Sequence, residues 1–178
     1  MKFIIDHLDT IVTIITTAVG FIITILLTKK SYKDEVKKSK IAIGADAMKE
    51  IPVELCKLMD GAAGLSKGTP ITAEKYADLI SRILSYGSKD AVSIAVHMQQ
   101  LAFSNRDGQD EQKKWEALVA YALLITQIKY DLTSEVISPE SWFKMKITDY
   151  ETMRPVAIKM INELVDSLNL NKEFMVKK

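Results

Sequence analysis

One cysteine, Cys56, stands among 178 residues, alongside four prolines, seven glycines and two histidines. A lone thiol excludes an internal disulfide and every paired-thiol zinc or redox motif, and it suits a reducing compartment. Scarce histidine narrows catalysis: His7 and His97 fall on opposite sides of the hydrophobic run described below and cannot share a site. The loop GAAGLSKGT, residues 61–69, lacks the GxxxxGK[ST] order that cradles phosphate, and it follows a helical pattern where that motif follows a strand. The DHLD string, Asp6 to Asp9, is too short for a metal site. The expectation is therefore a non-enzyme with no catalytic residue, no cofactor and no metal. Charge of one sign is also missing, since the chain nets only +1. No repeat of 20 to 50 residues and no low-complexity linker is present.

What is present is concentrated at the N-terminus. Thr10 to Thr28 (TIVTIITTAVGFIITILLT) is nineteen residues without a formal charge, and Lys29 and Lys30 follow at once. At about 1.5 Å per residue, a helix of that length covers roughly the 30 Å hydrocarbon core of a bilayer. A cleavable signal would have a basic start, a shorter apolar stretch and a small-x-small cleavage site. Here Asp6 and Asp9 stand against Lys2, and KKSYKDEVKK follows the run, so it reads as a single transmembrane helix.

Lysines set its orientation. Lys29, Lys30, Lys33, Lys37, Lys38 and Lys40 follow the run, and only Lys2 precedes it. The larger part of the chain is expected in the cytoplasm, at the inner face of the cell membrane, with the first nine residues outside. Residues 29–40 carry +4 and residues 1–28 carry −1, which leaves −2 for 41–178. The positive charge thus lies against the membrane and not on a domain face, which excludes a nucleic-acid footprint.

Beyond the run, apolar residues recur at helical spacing and never alternate as in strands. The reading is all-α: a short N-terminus (1–9), the span (10–28), a basic juxtamembrane helix or stalk (29–51) and a cytoplasmic bundle of about five or six helices (52–178). Pro52 should end or kink the juxtamembrane helix, and a short helix should follow to about Asp60. Thr72 caps a helix Ala73–Tyr86; Gly87 ends it, and Ser88 caps a helix with a stripe of Ala91, Ile94, Ala95, Met98, Leu101 and Ala102, widened by Val92 and Val96. Another runs from Glu111 to about Leu132, and its middle, Ala117–Ile125, is apolar all round, which marks the central buried helix. Ser138–Pro139 opens a short helix through Trp142 and Phe143. Thr148 and Glu151 resemble a capping box for the last helix (stripe Ala157, Met160, Ile161, Leu164, Leu168), but Pro155 conflicts with it and predicts a kink or restart there.

Three features point to partners, each with a plainer alternative. Thr10, Thr13, Thr17, Gly20 and Thr24 form a small-residue seam on which membrane helices can associate; Thr16, Gly20 and Thr24 form a competing one, and the hydroxyls can instead bond their own helix. The six lysines can contact anionic lipid, or serve only to set topology. Tyr130, Trp142, Phe143 and Tyr150, set among charges, make a candidate partner-binding patch, or else the lid of the bundle core.

The stretch KYDLT…ISPESWFKMKITDY, with YGSKDAV upstream, resembles small bacterial or phage single-pass membrane proteins of uncharacterised function, which pair an N-terminal anchor with a helical domain. The resemblance implies a bacterial or phage membrane protein and brings no activity or site. The functional expectation is a membrane-anchored interaction module, regulatory or scaffold, that binds a protein partner or itself, with the bilayer as a further partner and no small-molecule substrate. The alternative is an oligomerising membrane effector in stress response or phage exclusion.

Overall fold

A computed structural model of the chain describes residues 8–62 and 72–177; within helices, the side chains of 8–20, Ile22, Lys40 and Ala62 fall outside that description. Asp6 and His7, the first half of the DHLD string, and most of the glycine-rich loop also lie outside the described residues. The order is α1 (Leu8–Met48), α2 (Ile51–Ala62), α3 (Ala73–Tyr86), α4 (Lys89–Ser104), α5 (Glu111–Thr133), α6 (Glu140–Lys146), α7 (Tyr150–Ser167) and a 3₁₀ turn, Lys172–Phe174. No strand occurs among the described residues. The chain divides into two compact units, 1–43 and 44–178.

The first unit is α1 as far as Ile43. Among the described residues no helix is long and apolar enough to cross a membrane. The expected span, 10–28, falls within α1, and its side chains before Phe21, with that of Ile22, lie outside the described residues. In the described remainder Phe21, Ile23, Leu26 and Leu27 are at least half exposed.

The second unit is a six-helix bundle organised on α5. Because α5 is apolar on every side, it can accept neighbours all round, and α4, α2 and α7 all pack on it. Val119, Ala120, Leu123, Leu124 and Ile128 are fully buried. The last turn of α1 joins this core through Met48, and α2 through Ile51, Leu55 and Met59. The unit therefore begins earlier than residue 52. Pro52 does not end α1: the helix stops at Met48, and Pro52 sits in the first turn of α2, where a missing N–H costs little.

Caps fall where local chemistry places them. Thr72 Oγ1 accepts from the Lys75 N–H at 3.3 Å, Ser88 Oγ from Ala91 at 3.2 Å, and Asp110 Oδ1 from Lys113 at 3.1 Å. The Asn105 side chain clasps the Asp110 backbone, donating from Nδ2 to its carbonyl and accepting its N–H on Oδ1, each at 3.1 Å, which closes the α4–α5 loop; Gly108 supplies its left-handed residue at φ +63°. On α4 the buried stripe is Ala91, Ile94, Ala95, Met98 and Leu101, while Ala102 and Val96 face out.

Two expectations for α7 are corrected. The Thr148–Glu151 capping box does not form: the helix starts at Tyr150, and the N-cap residue, Asp149, makes no side-chain cap bond. Nor does the helix restart at Pro155, which lies inside an unbroken run. That proline forfeits one hydrogen bond close to the helix start, whereas Tyr150, Ala157, Ile158, Ile161, Leu164 and Val165 bury against the bundle on both sides of it. At about 1.5 to 3 kcal/mol for each large apolar side chain buried, packing wins.

Candidate functional site

The membrane-side residues expected to act are only partly described. Thr10, Thr13, Thr17 and Gly20 lie outside the described side chains, and Thr24 is exposed. Lys29, Lys30, Lys33, Lys37 and Lys38 are all exposed along consecutive turns of α1, and none is in an ion pair among the described residues; Lys40 lies outside the described side chains. Because α1 is one helix here, Lys29, Lys33 and Lys37 recur at four-residue steps and line one side.

The aromatic quartet is not a surface patch. Phe143 is fully buried, and Trp142, at 6% exposure, and Tyr150, at 2%, are buried with it. Trp142 meets Phe143 edge-on at 5.3 Å, and Phe143 stacks on Tyr150 at 5.6 Å. Tyr130 is half-buried and edge-on to Phe174 at 5.8 Å. The partner-patch reading is thereby corrected in favour of the lid: Trp142, Phe143 and Tyr150 close the core from α6 and the start of α7, and Tyr130 packs beside it from α5. Lys144 and Lys146 point outward because a short helix buries one face and leaves the other wet, whereas Glu140 is buried.

That lid is fastened by a buried carboxylate. Glu140, 3% exposed, accepts from Arg154 Nε of α7 at 2.5 Å and pairs with Lys144 at 3.1 Å. Burial alone would raise its pKa, but the Arg154 and Lys144 contacts outweigh this and hold the carboxyl below its ordinary value. The Glu140 hydrogen bond in turn raises Arg154, while burial and the neighbouring Glu140 push the Tyr150 phenol up.

The clearest concavity that contains a potential proton carrier is a cleft of about 570 Å³ between α5 and α7, with His97 of α4 at its edge. Trp115, Val156, Met160 and Leu164 supply apolar lining, and Glu111, Glu116, Lys159 and Glu163 supply charge. His97 Nε2 lies 3.0 Å from Glu116 Oε1. A catalytic triad would need a nucleophile on the other side of the imidazole. Ser167 also lines the cleft, yet its hydroxyl donates to the Leu164 carbonyl at 3.2 Å, and no hydrogen bond joins it to His97 among the described residues.

Several other polar side chains are engaged locally. Asp131 accepts from Gln127 Nε2 at 2.8 Å; burial raises its pKa, with Ser88 and Gln127 opposing. Glu135 pairs with Lys129 at 3.2 Å. Burial, then Asp60, pushes the Cys56 thiol up, the opposite of what activates a nucleophile. No group of three metal-ligating side chains occurs among the described residues.

Sequence reasoning missed the C-terminal tail. Beyond α7, Leu170, Phe174 and Val176 are buried, and Asn162 clasps the tail, donating to the Val176 carbonyl at 3.0 Å and accepting its N–H at 2.9 Å. The available signal was apolar residues continuing past the last helix, without a helical period to organise them.

No family model matches the chain, and no curated protein and no solved structure matches it.

Proposed function

We propose that the protein is a single-pass membrane protein whose helical bundle serves as a protein-interaction module, regulatory or scaffold, at the inner face of the cell membrane. One observation carries the reading: in the described part of α1, large apolar side chains are exposed all round the helix, and a run of exposed lysines follows immediately. Phe21, Ile23, Ile25, Leu26 and Leu27 point to every side at 100° per residue, and no other described part of the first unit covers them. A soluble helix with one partner would need only one apolar stripe. Lipid is the environment that suits an apolar helix on every side, and lysines at its end suit anionic head groups, at about 1 kcal/mol each near the surface. Tethering raises the bundle's concentration near membrane partners without any catalytic group.

Fractionation tests it. Membranes carrying the chain are washed at alkaline pH, and intact cells are treated with protease. Retention in the pellet with the bundle protected supports the reading. Release into the wash, or digestion of the bundle from outside, defeats it.

A further inference from the structure

We propose that α1 pairs in parallel with α1 of a second copy, along a seam of Tyr32, Val36, Ser39 and Ile43 just beyond the span; the pairing rests on the anchored reading above. The spacing of these residues is four, three, four, the a/d repeat of a left-handed coiled coil. At 100° per residue they fall within an arc of about 60° on α1. Tyr32 is 67% exposed and Ile43 61% exposed, and Val36 is half-buried. In a segment otherwise crowded with lysine, that is a mainly apolar stripe, interrupted by Ser39, with no other element of the described part of its unit to cover it. Ile41 is the one large apolar side chain there that falls off the stripe.

Charge complementarity selects a second copy and sets its direction. With Val36 at position a, Glu35 occupies g and Lys40 the e position that faces it from the partner in a parallel pair. A two-fold axis makes that attraction twice. The preceding flank sets Thr28 against Lys33, so no like charges meet at the e and g positions beside the seam. An anchor inserted with a fixed orientation allows parallel pairing only. In sequence the same spacing runs back through Lys29 and Ile25 to Ile22, Ala18, Ile15 and Ile11, a different face from the threonine seam. Lys29 is the one charge in that register. It stands at the membrane boundary, where a long side chain can extend away from the contact.

A stretch of about two heptads is too short to pair in free solution. The anchors make the pairing feasible, because they confine copies to one plane, one orientation and a high effective concentration.

The test uses the full chain in its membranes, in a Cys56→Ser background with single cysteines. Tyr32→Cys and Ser39→Cys probe the seam; Ser31→Cys and Lys38→Cys probe the face continuous with the threonines. Oxidation with copper phenanthroline is expected to give a species of twice the chain mass at the two seam positions, at least tenfold over the other two. Glu35→Lys should reduce the Ser39→Cys product several-fold, and adding Lys40→Glu should restore it. Equal yields at all four positions, yields peaking at Ser31→Cys and Lys38→Cys, a product of another mass, or no effect of Glu35→Lys overturns the pairing. If the chain stays in the membrane after alkaline washing, those results overturn the pairing alone; if it is released, the anchored reading falls and the pairing with it.

Discussion

Glu140 shows how far one side chain can govern this bundle. It is a carboxylate out of water, stabilised only while Arg154 and Lys144 face it, and it ties α6 to α7 across the stacked rings of Phe143 and Tyr150. Replacing it by glutamine keeps the shape but removes the charge that both cations need, so Glu140→Gln should cost about 1 to 3 kcal/mol of unfolding free energy, measurable by urea titration of the bundle. The pH sign follows from its lowered pKa: the stabilisation is present above the ordinary glutamate range, near 4.5, and is lost as pH falls through the depressed folded value. The wild-type bundle should therefore lose stability on acidification below about pH 4.5 more steeply than Glu140→Gln. Asp131 has the opposite sign. Burial raises its pKa, so its charge opposes folding above that pKa, and Asp131→Asn is expected to leave stability at pH 7 unchanged or raised. At the other end of the chain Phe174, fully buried, should cost about 3 to 5 kcal/mol as Phe174→Ala.

Among elements, two helix boundaries set by local chemistry were legible in advance: Thr72 and Ser88 sit at N-caps because a short polar side chain satisfies an otherwise unpaired N–H, and Asp110 does the same for α5 without having been singled out. Gly87 joins α3 to α4 where a Cβ would come within 2.5 Å of the Ile83 carbonyl oxygen, an atom fixed by the helix itself. Gly87→Ala should therefore lower the melting temperature by several degrees, more than Ser88→Ala, whose lost cap is worth about 1 kcal/mol. The misreadings have one cause, that long-range burial is invisible to spacing. Pro155 looked like a break because its cost is local, whereas the contacts that hold α7 on both sides of it come from other helices. For Trp142, Phe143 and Tyr150 the flanking charges leave patch and lid both open in sequence, and only the fold decides for the lid, with Glu140 buried beside the rings. The tail was missed because an extended strap has no period.

At the scale of the whole molecule, the two units differ in what they bury. Residues 44–178 enclose a continuous core from Met48 to Val176, while the described part of 1–43 encloses nothing. Residues 44–178 expressed alone are expected to give a monomer with a single cooperative thermal transition, and aggregation or a non-cooperative melt would contradict that. The expected all-helical class and the central place of α5 were readable from composition and from one nine-residue apolar run. The contents of the α5–α7 cleft, the Glu140 fastening and the Asn162 clasp were not, since each joins residues distant in sequence. The place of Phe174 in that order carries a temporal consequence. A ribosome delivers α1 and all six bundle helices before it delivers the ring that completes the core against Tyr130. If α1 enters the bilayer as it emerges, the polypeptide is moored before it is folded, and the bundle closes at the membrane surface.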